Sequence, residues 1–231
     1  MNKKQIAQEL SGLFFPNCCS VCHQKLTPQE EGICLNCLYR LPKTNNFKEP
    51  DNLVEIQLAG RFPFVRIATF SYFSKQGILQ PLIHDLKYNG KKEIGTFLGK
   101  IFGKDFIASD FINGIELIIP VPLHPKKEKQ RGYNQAQMIA EGLSLTTGIP
   151  IAVDNLVRAI YNPTQTKLSG QQRWKNVEGI FHIKNPEMLQ NKHILLVDDI
   201  ITTGSTLEAC AHALALCDGI SISVAALGQA L

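Results

Sequence analysis

Asp198 and Asp199 stand side by side in the stretch 194–206, ILLVDDIITTGST, directly after four apolar residues. Adjacent carboxylates repel, and desolvation at the end of a buried strand raises the cost of charging both. The arrangement becomes sensible if a ligand there brings hydroxyl donors or a cation. The residues that follow, Thr202, Thr203, Gly204, Ser205 and Thr206, precede a helical pattern. A glycine-bearing loop that opens a helix presents free backbone N–H groups and the positive end of the helix dipole, which suits a phosphate. Acids for a diol and a loop for a phosphate together describe a sugar phosphate. An aspartate N-cap at a strand-to-helix turn explains one of the acids, but not both acids and the hydroxyl-rich loop.

The second chemical group is a set of cysteines. Five of the seven fall at 18–37, and Cys19-x-x-Cys22 and Cys34-x-x-Cys37 form two knuckles eleven residues apart. That spacing predicts a tetrahedral four-thiolate zinc ribbon, closed to substrate and therefore structural. A head this small cannot fold on a hydrophobic core alone, so metal would supply its stability. Cys18 is an alternative first ligand, although the two-residue gap from Cys19 fits the tight knuckle better. Cys210 and Cys217 sit in an apolar helical pattern and read as core. The third group is basic: Lys126, Lys127, Lys129 and Arg131 surround Glu128 just after the prolines of IPVPLHP. Cations beside a turn suit an anionic ligand, and a solvated loop gives the same pattern for any single lysine. His124 reads equally as a ligand-facing side chain or a plain turn residue.

These groups need a scaffold, and buried runs alternating with helical stripes supply one. Strands are predicted at 66–74, 114–122, near Phe181, at 192–197 and at 220–227; helices at 77–90, 93–107, 134–148 and 205–217. The alternation indicates an α/β fold with a parallel sheet and right-handed crossovers. Ligands of such sheets bind beyond the carboxyl ends of the strands, where Asp198 and Asp199 lie. Residues 1–45 read as the cysteine module, 46–65 as a polar linker and 66–231 as the main domain. The stretch 158–176 is long, polar and rich in turn formers, the mark of a functional or mobile loop. A net charge of +4 permits an anionic partner without demanding nucleic acid. No apolar run is long enough to insert across a bilayer. The N-terminus has lysines but no sustained apolar core or cleavage site, and the expected location is cytoplasmic.

ILLVDDIITTGST resembles the phosphoribosyl pyrophosphate (PRPP) motif of type I phosphoribosyltransferases. In that family the loop holds the 5-phosphate and the acids contact the ribose 2- and 3-hydroxyls. The resemblance puts these roles on Thr202, Thr203, Gly204, Ser205 and Thr206, and on Asp198 and Asp199. The turn after the earlier strand binds pyrophosphate in the family, which implies 121–124, with Leu123 and His124, and Arg131 beyond. The stretch after Arg158 resembles the hood of glutamine-dependent amidophosphoribosyltransferases, with Gln165, Lys167 and Arg173 as further candidates. Its closure would shield an oxocarbenium-like transition state from water. LFFPNCCSVC, ICLNC, LIHDLKYNGKKEIG, PVPLHP, RGYNQAQ and the PRPP motif, in order over nearly the whole chain, resemble the ComF family (ComFC and GntX-like proteins). Tyr133 stands where phenylalanine is common.

The resemblance implies a type I phosphoribosyltransferase-like, mostly parallel sheet flanked by helices, with a small N-terminal four-cysteine zinc-ribbon module. It also implies structural Zn2+, Mg2+ arriving with PRPP, and a link to natural competence and DNA uptake. Single-stranded DNA and competence helicase-type proteins are the implied partners. The expected activity is phosphoribosyl transfer to an unidentified acceptor over the region 72–92, including His84, Asp85, Lys87 and Tyr88. No catalytic base is legible. The alternatives are a non-catalytic single-stranded-DNA-binding competence factor and a PRPP-sensing regulator without turnover.

Overall fold

In the computed structural model, which describes residues 17–158 and 180–230, the strands are β1 (Ile67–Phe73), β2 (Leu117–Pro120), β3 (Leu156–Arg158), β4 (Phe181–Ile183), β5 (His193–Ile201) and β6 (Ser221–Ala230). The helices are α1 (Leu35–Tyr39), α2 (Leu53–Leu58), α3 (Leu79–Tyr88), α4 (Glu93–Ile107), α5 (Pro125–Arg131), α6 (Gln135–Thr147) and α7 (Ser205–Leu214). Four strands pair in parallel in the order β1-β6-β5-β2. Both faces of this sheet are covered. Along β5, Leu195 and Val197 enter one buried cluster with α3, α4 and α6, whereas Ile194 and Leu196 enter the other with α2 and α7. Alternate residues feed two cores, which is why the strand reads as an unbroken apolar run.

The helical stripes at 77–90, 93–107, 134–148 and 205–217 appear as α3, α4, α6 and α7. The backbones of α4 and α6 nearly touch: a methyl group at Gly99 would collide with the Ile139 carbonyl, and one at Gly142 with the Thr96 carbonyl. Three features differ from the sequence expectation. The strand near Phe181 lies outside the parallel sheet and pairs antiparallel with β3, Arg158 opposite Phe181. The basic run after His124 is a seven-residue helix, α5, with the His124 side chain capping its start and Gly132 ending it in the left-handed region. It buries no side chain, so no apolar stripe announced it.

The third difference is residues 46–65, expected as a linker. They fold onto the sheet. Asn46 donates to Thr69 and Gln229, and Asn52 caps α2 in a reciprocal box with Glu55. Buried Glu55 pairs with Arg66 at 3.0 Å and accepts from the Ile67 N–H. Phe47 joins the α3–α4 core, while Val54, Leu58 and Phe62 join the α7 core. Those four apolar residues are spaced seven, four and four apart, but only Val54 and Leu58 share a helix, and a proline and polar residues interrupt the rest. The cysteine region is docked as well, since Cys19, Ile33, Cys34 and Cys37 belong to the same buried cluster as α3 and α4.

Candidate functional site

β2 stops at Pro120, opposite Val197 of β5. The Val121 N–H makes the last link, to the Val197 carbonyl at 2.8 Å. From Asp198 onward β5 has no partner on that side, while β6 still supports it on the other. The acid pair therefore lies within β5, at its carboxyl-terminal part, where the sheet opens. Both side chains are half-buried. Burial and the charge of Asp199 push the Asp198 carboxyl up to about 7, against a backbone hydrogen bond and Lys87 that favour its ionised form. Asp199 has a partner within the chain: Lys87 Nζ, on the last turn of α3, lies 2.8 Å from its Oδ1.

The loop 202–206 follows directly. Thr202, Thr203, Ser205 and Thr206 are exposed, and the Thr203 and Ser205 hydroxyls are 3.0 Å apart. Gly204 has φ +73° and immediately precedes α7. Its left-handed backbone favours glycine, and a side chain there would run into Leu58. Arg61 reaches over from beyond α2, donating one nitrogen to the Thr203 carbonyl and pairing the other with Glu208 of α7. Leu58 and Arg61 thus brace the loop from the segment expected to be a linker.

The turn 121–124 leaves β2 where that strand last pairs with β5, directly before the acids. Asn134 pins it, donating to the Val121 carbonyl at 2.9 Å while its side-chain oxygen caps α6. His124 Nδ1 accepts from the Lys126 N–H, and Leu123 is half-buried beside it. Arg131 bonds Gln135 and lies 5.4 Å from the Tyr88 ring centroid. Burial and the charges of Arg158, Arg131 and Lys87 push the Lys127 pKa down; burial and Arg158, Lys126 and Lys127 do the same to His124. These mutual effects define one cationic rim. Arg158 belongs to it, with a buried Nε that finds no partner among the described residues and a guanidinium over Phe181 at 5.5 Å. His124, Arg131, Arg158, Asp198 and Asp199 are thus linked to one another through Lys127 and Lys87, with Leu123 next to His124 in the chain, while Gln165, Lys167 and Arg173 lie outside the described residues.

The region 72–92 divides. Lys87 and Tyr88 face the opening. Asp85 instead pairs with Lys91 at 2.7 Å, and Lys91 reaches Ser20 of the cysteine region. His84 packs its exposed ring against Tyr88.

In the cysteine region the Sγ atoms of Cys19, Cys22, Cys34 and Cys37 all lie within 4.8 Å of one another and could hold a metal ion. Cys18 is outside the group, bridging to Lys25 instead. The Cys19 and Cys34 sulfurs accept backbone N–H bonds from Val21, Cys34 and Cys37. Burial opposes ionisation of Cys19, but backbone N–H bonds outweigh it and bring the thiol to about 7. Thiolates at this spacing with N–H donors are the set a tetrahedral soft cation takes.

Two residues of this arrangement escaped the sequence reading. Arg61 stands in the stretch read as a polar linker, and its partners, Thr203 and Glu208, lie far along the chain. Lys87 was one of several polar residues grouped as an acceptor region, and only the fold shows it on Asp199.

A parallel sheet opening onto an acid pair, a hydroxyl loop at a helix start and a cationic rim define a phosphoribosyltransferase-type domain. A family model for the phosphoribosyl transferase domain matches residues 129–229. The chain is 29% identical over 199 residues to the DNA utilization protein YhgH of Shigella flexneri, covering 85% of this chain and 83% of that one. It is 39% identical to competence protein F of Haemophilus influenzae over 40% of this chain and 41% of the relative. With competence protein ComFC of Bacillus subtilis it shares 29% identity over 62% of this chain and 56% of the relative. The chain therefore carries a phosphoribosyl transferase domain over 129–229 and is similar to proteins named for competence and DNA utilization.

Proposed function

We propose that this protein binds PRPP together with Mg2+ at the ends of β2 and β5, as a phosphoribosyltransferase-like protein of the ComF type. The observation that carries the reading is the convergence on one opening of an acid pair, a hydroxyl loop at a helix start and a rim of cations. Asp198 and Asp199 accept from the ribose diol. Residues 202–206 grip the 5-phosphate with backbone N–H groups and hydroxyls. Leu123, His124 and Arg131 line the pyrophosphate, and Arg158 leads into the closing segment with Gln165, Lys167 and Arg173. Two carboxylates are too few ligands for a dedicated Mg2+ cage, so the ion would share PRPP oxygens and water. The Lys87 ammonium 2.8 Å from Asp199 supports a place for positive charge there. When bound, Mg2+ supplies charge for the departing pyrophosphate. The chain's own part is to hold the diol, orient the leaving group and present the ribose carbon to an acceptor.

Residues 1–45 are the zinc module under this reading, with Zn2+ held by Cys19, Cys22, Cys34 and Cys37 in a structural role. The division at 46–65 marks a bridge packed on the domain 66–231. A site built from reduced cysteines and a PRPP ligand supports a cytoplasmic protein. Among the described residues no helix is long and apolar enough to cross a membrane. The relatives' names, competence protein and DNA utilization protein, support a role in competence and DNA handling; helicase-type competence proteins are the partners this reading proposes. A second reading, single-stranded DNA binding, is favoured by one feature: exposed α5, with three lysines and Arg131, lies against the exposed Tyr88.

Calorimetry of PRPP with Mg2+ tests the main reading, comparing wild type with the Asp198→Asn/Asp199→Asn double variant. Wild type gives a binding heat, and the double variant binds roughly tenfold weaker or worse. Absence of heat in the wild type, or equal binding by both, sinks it. Pyrophosphate release across bases, amines and single-stranded DNA then separates an enzyme from a PRPP sensor.

A further inference from the structure

Lys87 is held in place on both sides. The residue before it, Leu86, is buried, and its carbonyl accepts the Tyr133 hydroxyl at 2.6 Å. The residue after it, Tyr88, lies under Arg131 at 5.4 Å. Both grips come from the segment after the turn 121–124, so the last turn of α3 is locked to the proposed pyrophosphate side. From that position the ammonium is 2.8 Å from Asp199, with the lysine side chain 22% exposed and the aspartate 14%. Lys87 also acts electrostatically on Asp198 and on Lys127. One cation thus stands between the acid pair and the cationic rim, where a sugar diol and a pyrophosphate would meet.

We propose that Lys87 is the resident counter-cation of this site: it neutralises the acid pair in the free protein and moves onto the pyrophosphate oxygens when PRPP arrives with Mg2+. The exchange explains how the chain tolerates adjacent carboxylates without a bound metal. It also makes divalent-ion binding depend on PRPP, because the lysine excludes the ion until an anion draws the ammonium away. No bond is made or broken in the step; a salt bridge is exchanged. The second half rests on the PRPP reading, whereas the first does not.

The test uses the full chain purified with zinc and three proteins: wild type, Lys87→Met and Lys87→Arg. Mn2+ alone is titrated and followed by electron paramagnetic resonance, with the Asp198→Asn/Asp199→Asn variant as the control for ions bound elsewhere. PRPP with Mg2+ is titrated separately by calorimetry. Removal of the ammonium leaves the acid pair uncompensated, so Lys87→Met binds Mn2+ alone about tenfold more tightly than wild type and PRPP with Mg2+ about tenfold more weakly. Lys87→Arg keeps the wild-type exclusion of Mn2+. Equal Mn2+ binding by wild type and Lys87→Met, or unchanged PRPP affinity in Lys87→Met, overturns the proposal. If wild type binds no PRPP while Lys87→Met gains Mn2+, the counter-cation half stands and the PRPP reading falls.

Discussion

The two places where this chain collects ligand atoms are built over very different spans of sequence. The four sulfurs come from residues 19–37, and three of the four cysteines, all but Cys22, are buried in the same core as α3 and α4. The opening above β5 draws Arg61, Lys87, His124 with Arg131, Arg158 and the acid pair from five segments, and its charges depend on one another. The cysteine site is local in sequence but continuous with the core. The opening is distributed in sequence and polar, and its supports can be altered one at a time. Losing a sulfur should therefore be a folding event, while losing a side chain at the opening should be a binding or titration event.

The largest effect expected from this contrast is at Cys37. Its replacement by serine removes one buried sulfur of the candidate metal site, and metal binding at such a site carries folding free energy on the order of 10 kcal/mol in isolated modules. Part of that reaches the domain through Ile33, which packs in the cluster with α4. Urea unfolding of Cys37→Ser is expected to show a loss of several kcal/mol, with zinc falling from one per chain to none. Unchanged stability after complete chelation of the wild type would break the contrast at its root.

Next in size is Asp198. Its folded carboxyl lies near 7, against an ordinary value of 3.8. The protonated form is thus the one the fold favours. That contribution is full below about pH 4 and is lost as pH rises through about 7, at most on the order of 4 kcal/mol over the range. Asp198→Asn stays neutral and keeps an oxygen for the Asp199 N–H, which Asp198 Oδ1 now accepts at 2.8 Å. Thermal unfolding followed from pH 4 to 8 should therefore be flatter in this variant on the alkaline side. Parallel curves would mean that Lys87 neutralises the pair more fully than the burial of Asp198 implies.

The same contrast explains what was legible in the sequence. The cysteine site was readable because two knuckles fix four ligands within one short segment. The acid pair and the loop 202–206 were readable because strand, acids and helix start are contiguous. The stripes of α3, α4, α6 and α7 were readable because each buries one face. Arg61 was not, because its value lies in reaching Thr203 and Glu208 across the fold. α5 was not, because a helix without a buried side chain is held by its caps. β3 and its antiparallel pairing with the expected strand near Phe181 were not, because three residues cannot show a period and the pairing bridges distant segments.

Arg61 gives the third test. It pairs with Glu208 at a partly exposed position, with side chains 31% and 19% accessible. Arg61→Ala should cost about 1 kcal/mol of stability. Its larger consequence is on the loop, whose Thr203 carbonyl loses its brace, so PRPP affinity should fall several-fold while the fold and zinc content stay intact. Arg61→Lys, with one point donor in place of a fork, should recover only part of the affinity. Full affinity in Arg61→Ala would show that Gly204 and α7 hold the loop unaided.

The smallest effect lies at the other end of β5. His193 begins the strand, with Nε2 2.9 Å from the Ser223 hydroxyl. Burial pushes its pKa down, and Glu116 and a backbone hydrogen bond with Gly114 pull only partly the other way. The neutral ring is the form the fold favours. Its contribution is full above the ordinary value of 6.5 and is lost as pH falls through it toward the depressed folded value. The two ends of one strand therefore respond to pH in opposite directions, Asp198 losing stability upward and His193 downward. His193→Gln retains a group able to meet Ser223 but cannot be charged, so it should flatten only the acid limb of the stability profile, by less than Asp198→Asn flattens the alkaline limb. The double variant should show both changes added, because the residues are at opposite ends of β5 and share no partner. An acid limb unaltered in His193→Gln would assign that limb to carboxylates elsewhere in the chain, with Glu116 and Asp85, both held below the usual carboxylate range by their lysine partners, the first to examine.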